Sequence, residues 1–246
     1  MAEVNNAFYD DLGERWYEGD DHAIALLRVE SYLKLGYTFE VLRTHRIEAG
    51  SRVLDVACGA GLVTLPMATA GYRMEGVDLA ENALDVARQR VPEGADATFR
   101  LGDALALDAE ADTYDAVLLL DMLEHVEEPG RAIAEAARVV RPGGVVVFNT
   151  FNQTPLSWLV AVHGFKFVVP EAPEHLHVYR LFIPPESLEQ MCTDAGLDVV
   201  DVTGVRPRLD GAFWRSLRRR RVDPDFRFQR TASTAVGYMG AAVRVG

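Results

Sequence analysis

The sequence predicts an α/β fold built on a doubly wound, Rossmann-like sheet of about seven strands. Three observations carry that prediction. Short apolar runs alternate with helical stretches at βαβ spacing from residue 52 to 150, the pattern of a parallel sheet with crossover helices. The first run ends in a glycine turn, Cys58-Gly59-Ala60-Gly61. The polar residues able to do chemistry cluster where the runs end: Asp55 to Gly61, Asp78, Asp103, Asp121 to His125, and Asn149 to Asn152. Open α/β sheets bind ligands beyond the carboxyl ends of their strands.

Residues 1–48 read as a helical cap. Leu26, Leu27, Val29, Leu33 and Leu35 lie in a stretch without proline and poor in glycine, consistent with an amphipathic helix. Arg52 to Ala57 is the first strand, and the glycine turn after it opens a helix. Tyr72 to Val77 is the second strand, closing on Asp78, and Asn82 to Val91 is a helix. Thr98 to Leu101 is the third strand, running into Gly102-Asp103. Tyr114 to Leu120 is apolar almost throughout, as buried parallel strands are. Gly130 to Val140 has helical spacing, and Arg141-Pro142-Gly143-Gly144 stops it. Val145 to Thr150 is the next strand. The alternation then breaks over 152–183, which holds Trp158, Phe165, Phe167 and three histidines. Pro184 to Ala195 returns to helix and Leu197 to Val202 to strand. Gly204 to Arg230 reads as polar and irregular, and Thr234 to Val245 as a final, antiparallel strand. The expected organisation is one domain over 1–246: a cap (1–48), a ligand-binding core (49–151), an inserted lid (152–183) and the completion of the sheet (184–246).

A chain of 246 residues is long enough to bury the core of such a domain. Lys and Arg total 25 against 37 Asp and Glu, a net charge of -12. That charge repels phosphate backbones, so no broad affinity for nucleic acid is expected. The two cysteines, Cys58 and Cys192, offer no disulfide framework and suit a reducing cytoplasm. Met1-Ala2-Glu3-Val4-Asn5-Asn6 has neither a basic start nor an apolar core, so no signal peptide is expected. Membrane-spanning helices need about 20 apolar residues. The longest candidate, Leu156 to Val169, is broken by Ser157, His163, Gly164 and Lys166. The expected location is the cytoplasm, with contact at the inner face of the membrane left open.

The glycine turn lets a ligand approach the backbone with no Cβ in the way, and the helix after it aims free N–H groups at a negative group. A dinucleotide fingerprint would place a third glycine where Thr64 stands. Instead Asp55 and Cys58 flank Gly59 and Gly61. Asp78 ends the next strand and can accept hydrogen bonds from both hydroxyls of a ribose. Asp103 ends the third and can accept from an adenine amino group. One acid at each of three successive strand ends fits a cationic adenosine ligand with an amino-acid tail better than a phosphate-bearing one.

Across residues 50–150 the chain resembles the class I S-adenosylmethionine-dependent methyltransferases. The resemblance implies that the glycine loop holds the methionyl end of S-adenosylmethionine, Asp78 the ribose and Asp103 the adenine. Leu79, Ala104, Asp121 and Met122 join the implied cofactor set. Below that level the chain resembles the ubiquinone-biosynthesis O-methyltransferases. The matching segments are Phe8 to Tyr17, Leu26-Leu27-Arg28, Asp121 to Val126, Asn149 to Asn152 with Ser157-Trp158-Leu159, His177, Phe182-Ile183-Pro184 and Tyr238-Met239. Arg28 resembles the arginine that reaches the cofactor's carboxylate. The chain departs from the pattern at Ala57, where glycine is more frequent, at Asp121, where glutamate is usual, and over 205–230, which has no clear counterpart.

The implied reaction moves a methyl group to a catechol or quinol hydroxyl, which must lose its proton. A base can take it, or a metal can lower the hydroxyl's pKa. Asp121, Glu124 and His125 form D-x-x-E-H. If a helix starts there, all three share a face and suit Mg²⁺, Mn²⁺ or Zn²⁺; the resemblance also implies metal dependence. Alternatively His125 or His177 is the general base, or these residues only pack and cap. Trp158, Leu159, Phe165 and Phe167 could grip an apolar tail, dip into a bilayer or cover the core. Arg215 and Arg218 to Arg221 could meet anionic headgroups or simply be solvated. Against a quinol O-methyltransferase stand a methyltransferase for another phenol, acid or natural product, a non-catalytic cofactor-binding protein, and an RNA methyltransferase resting on the arginines alone. The oligomeric state is not legible.

Overall fold

A computed structural model describes residues 7–170 and 176–246. The expectations for the opening hexapeptide and for His175 of the insertion lie outside the described residues. In chain order, α1 (Ala7–Asp10) and a 3₁₀ turn (Gly13–Trp16) precede the long α2 (Ala23–Thr44). Then come β1 (Arg52–Val56), α3 (Thr64–Thr69), β2 (Arg73–Asp78), α4 (Glu81–Arg88), β3 (Ala97–Leu101), β4 (Tyr114–Leu120), α5 (Pro129–Val139) and β5 (Val140–Phe151). The insertion holds α6 (Pro155–Ser157), which runs on into a π-helical turn (Trp158–His163), and two 3₁₀ turns. The chain finishes with α7 (Pro185–Asp194), β6 (Leu197–Pro207), α8 (Gly211–Arg219), β7 (Phe228–Thr231) and β8 (Gly237–Arg244).

All eight strands join one sheet in the order β3-β2-β1-β4-β5-β8-β6-β7. The first five are mutually parallel where they pair. β8 slots antiparallel between β5 and β6, as expected for the last strand. The alternation of side chains along each strand explains the two-sided burial. Leu54, Val56, Val117, Leu119, Phe148 and Tyr238 pack on one face, with Ile133 and Ala136 of α5. Val53, Ala116, Leu118, Val145, Val147 and Met239 pack on the other, with Val41 and Leu42 of α2.

The region expected to be irregular, Gly204 to Arg230, is ordered instead. β6 continues to Pro207, α8 follows, and β7 returns antiparallel along β6, with Gly204 opposite Thr231 and Pro207 opposite Phe228. The return is so close that a Cβ on Gly204 would fall 1.9 Å from the Ser233 carbonyl oxygen. Asp210 caps α8, its side chain accepting from the N–H groups of Ala212 at 3.0 Å and Phe213 at 3.3 Å. Arginines hid this helix: they fill one face, while Phe213 and Leu217 join Phe226 in an apolar cluster with the insertion. Register sets the site. Val56 pairs with Val77 and Leu119, Asp78 with Leu101, and Leu120 with Asn149, so the strand-end residues singled out above share one edge of the sheet.

Candidate active site

A cavity of about 760 Å³ opens along that edge. Asp55, Ala57, Cys58 and Gly59 of the first loop line it, as do Asp78, Leu79, Asp103, Ala104, Asp121 and Met122. Ala57 and Gly59 both take positive φ, 59° and 52°, which turns the chain sharply off β1. A Cβ on Gly59 would fall 2.6 Å from the Trp16 ring, so only glycine lets the indole cover the turn. Tyr17 secures this cover by donating to the Ala60 carbonyl at 2.7 Å.

Asp78 binds the turn from the second strand. Its carboxylate accepts from Gly59 N–H at 2.7 Å and Ala80 N–H at 2.8 Å. Each carboxylate oxygen keeps capacity for another donor, as ribose hydroxyls require. Burial raises its pKa despite these bonds. Asp103 is exposed at the rim, where one oxygen accepts from Leu105 N–H at 2.8 Å. Asp55 is buried and accepts from the Thr64 hydroxyl at 2.6 Å. Thr64, which breaks the dinucleotide pattern, thus has a structural task here. Burial pushes the Asp55 carboxyl up to about 7. Cys58 lines the cavity, but its sulfur packs against Gly76, 2.7 Å from where a Cβ would be.

Two expected cofactor residues stand elsewhere. Gly61 is absent from the cavity wall; its φ of 80° serves the turn, and it packs against Leu65 and Phe99. Arg28 donates to the carbonyls of Arg15, Trp16, Glu18 and Gly19 and faces a separate groove. It clamps the loop that carries Trp16 and does not reach the glycine turn. The reason is helical phase. Ala23, Leu27, Glu30 and Lys34 line the cavity from α2, and Arg28 is turned about 100° from Leu27.

A buried cation lines the cavity, Lys34, which the sequence reading missed. It is 2% exposed, ion-paired with Asp121, and 3.6 Å from Glu30. Burial works against its charge, but Asp121 and Glu30 outweigh burial and hold its pKa above the ordinary value. A Glu-Lys pair at i, i+4 in phase with Ala23 and Leu27 was the available signal. Lone lysines on helices are usually solvated, and the partner that buries this one is 87 residues away.

The expected three-donor metal site does not form. Asp121, at φ 54°, is taken by Lys34. Only Leu123–His125 forms a helical turn, of 3₁₀ type, so Asp121, Glu124 and His125 share no α-helical face. Among the described residues no three His, Cys, Asp or Glu side chains are grouped to hold a metal ion. Glu124 is 1% exposed; one of its oxygens accepts from the Thr150 hydroxyl at 2.7 Å and the other has no partner among the described residues. Burial, then the Asp121 charge, pushes its pKa up to about 8, so its surroundings favour the protonated acid.

His125 and His177 come together across 52 residues, ring centres 5.8 Å apart, and the Tyr9 ring is also 5.8 Å from that of His125. Burial pushes His125 down to about 3, with His177 adding to the shift, and its Nδ1 has no partner among the described residues. Burial also lowers His177, opposed by its bond to the Ala161 carbonyl. That bond, 2.8 Å from Nδ1 to the oxygen, requires Nδ1 to carry the hydrogen, because a carbonyl only accepts. The lone pair of neutral His177 is therefore on Nε2. From these histidines the cavity runs on over Phe165, Val168 and Leu176 of the insertion and Phe213, Leu217 and Phe226 beyond it.

Comparison with known proteins identifies the family and the fold. The methyltransferase domain family matches residues 54–148. Ubiquinone biosynthesis O-methyltransferase of Nitrosospira multiformis is 37% identical over 199 residues, covering 80% of this chain and 81% of that protein. The protein of the same name from Aromatoleum aromaticum is 39% identical over 204 residues, covering 80% and 83%. Among solved structures, the magnesium protoporphyrin IX methyltransferase of Synechocystis with bound S-adenosylhomocysteine superposes with a TM-score of 0.68 over 98% of this chain and 95% of that one, at 20% identity; this likeness concerns the fold. Fold and cavity define the class, an enzyme of the S-adenosylmethionine-dependent methyltransferases. Within that class, the chain belongs to the ubiquinone biosynthesis O-methyltransferase family.

Proposed function

We propose that the chain methylates a hydroxyl of a catechol or quinol bearing an apolar tail, the kind of acceptor that the relatives' name implies. The observation that carries this reading is the make-up of the cavity. His125, His177 and the buried Glu124 line the cavity between the glycine-turn end and a long apolar end. When bound, S-adenosylmethionine supplies an electrophilic methyl group on its sulfonium. In this reading the Gly59 turn and Lys34 hold the methionyl end, Lys34 facing the carboxylate. Asp78 accepts from the ribose. Leu79, Asp103, Ala104 and Met122 surround the adenine.

His177 Nε2 takes the hydroxyl proton as the new carbon–oxygen bond forms and the carbon–sulfur bond breaks. His177 suits this better than His125, because the Ala161 carbonyl stabilises the imidazolium that results, whereas no group among the described residues bonds to Nδ1 of His125. His125 and Glu124 orient the acceptor. No step is routed through a metal. The whole chain acts as one methyltransferase domain.

Peripheral contact with a membrane belongs to the same reading. No helix among the described residues is long and apolar enough to cross a membrane. Trp158, Leu159, Phe167 and Trp214 are exposed. Arg215, Arg219 and Arg221 are engaged with Asp223, Asp225, Asp20 and Asp21, so their charge is partly spent inside the fold. The deciding experiment is methyl transfer from labelled S-adenosylmethionine to a prenylated catechol, with and without a chelator. Transfer that survives the chelator supports a histidine base, and transfer abolished by it overturns that assignment. No transfer to any catechol, with the cofactor bound, overturns the acceptor class.

A further inference from the structure

The segment 205–230, which lacks a clear counterpart in the family pattern, is not a spacer. It supplies a wall of the same cavity that holds the glycine turn. Of what it contributes, Arg206 alone is polar; Val205, Pro207, Phe213, Leu217, Phe226 and Phe228 make up the rest. Facing them are Phe165, Val168 and Leu176 of the insertion, in one apolar cluster with Phe213, Leu217 and Phe226.

The wall is built rigidly. Phe226 packs against Phe213 at 6.0 Å and Phe228 at 5.5 Å between ring centres. Arg215 on α8 grips both oxygens of the buried Asp223 at 2.8 and 2.9 Å. Asp223 N–H in turn donates to the hydroxyl of the buried Ser216 at 2.9 Å. The segment after α8 is thereby fastened back onto that helix, beside an apolar space that opens onto the histidines.

We infer that α8 and β7, with the insertion, form a compartment for the linear hydrocarbon tail of the methyl acceptor, and that Leu217 and Phe213 limit the length of tail it takes. This rests on the acceptor reading given above. The occupant follows from continuity and polarity. The cavity is unbroken from the His125–His177 pair, where a hydroxyl must react, to these aromatic walls. A catechol without a tail would leave the walls wet, and each added isoprene unit removes more apolar surface from water. Affinity therefore climbs with tail length and stops climbing when the compartment is full.

The experiment compares a tail-less catechol with a series of acceptors bearing isoprenyl chains of increasing length, the fifteen-carbon chain among them, using wild type, Leu217→Trp and Phe213→Ala. Wild type should prefer the prenylated acceptor in KM by at least about tenfold. Leu217→Trp should erase that preference while leaving KM for the tail-less catechol and affinity for S-adenosylhomocysteine unchanged. Phe213→Ala should move the plateau to longer tails. A Leu217→Trp enzyme that keeps the preference, or loses both acceptors equally, overturns the inference. Calorimetric binding of farnesol separates this from the function reading. If wild type methylates neither catechol yet binds farnesol, and Leu217→Trp abolishes that binding, only the acceptor class falls. If wild type does not bind farnesol, the compartment falls.

Discussion

Replacing Lys34 with methionine keeps the side-chain volume and removes one charge. Asp121 then faces the interior of the cavity without its ion pair, beside Glu30 and Glu124. Breaking a buried pair from one side costs about 3–5 kcal/mol. Asp121 keeps 24% side-chain exposure, which places the expected loss near the lower figure, about 3 kcal/mol. For a chain of this size each kcal/mol moves Tm by about 2–4 °C, so the variant should melt about 6–12 °C lower. Asp121→Asn in the same background removes the stranded charge and should recover most of that loss. Cofactor binding gives a separate readout. A hydrogen bond to a charged group is worth about 1.5–3 kcal/mol, so S-adenosylhomocysteine should bind roughly ten- to a hundredfold more weakly, and Lys34→Arg should retain more of it. Differential scanning calorimetry and isothermal titration measure both. A Lys34→Met protein that melts within about 2 °C of wild type and binds S-adenosylhomocysteine as tightly would refute the ion pair and the cofactor role together.

Three other outcomes are expected. His177→Ala should lower kcat by about 10²–10⁴ without weakening S-adenosylhomocysteine binding; an undiminished kcat would remove it as the base. Glu124 has its folded pKa raised from 4.5 to about 8, so the folded state holds the proton more tightly than the unfolded one. Its contribution to stability is present below pH 4.5 and is lost as pH rises toward 8. Glu124→Gln cannot ionise, so its Tm should gain on wild type across that interval, and parallel melting curves would contradict the raised pKa. Ala57→Gly should raise Tm by about 1–3 °C, because relief of the left-handed backbone, about 1–2 kcal/mol, exceeds the added unfolded-state entropy of about 0.4–1 kcal/mol; an unchanged or lower Tm would mean that the strain is relaxed elsewhere.

Much was written locally in the chain. The apolar runs at 52–57 and 114–120 became buried parallel strands because strands covered on both faces need continuous apolar sequence. Strand ends collect at one edge in any parallel sheet, so Asp55, Asp78, Asp103 and Asp121 could be grouped from their positions alone. His125 and His177 were singled out as candidate bases, though their proximity was not visible.

Other features depended on which way a side chain faces and on what it meets across the fold. Arg28 and Lys34 belong to one helix, and only the docking of α2 on the sheet decided that Lys34 enters the cavity while Arg28 clamps a loop. The three-donor metal site failed because Lys34 reached Asp121 from a different element and the turn after β4 was not an α-helix. In 204–230, arginines masked an amphipathic helix whose apolar face becomes evident only beside Phe226 and the insertion. Sequence determined the strand pattern, the glycine turn and the class of ligand, because each is set by residues close together along the chain. Tertiary structure decided charge pairing, tautomer and the shape of the acceptor space, because burial and partnership are properties of the packed fold.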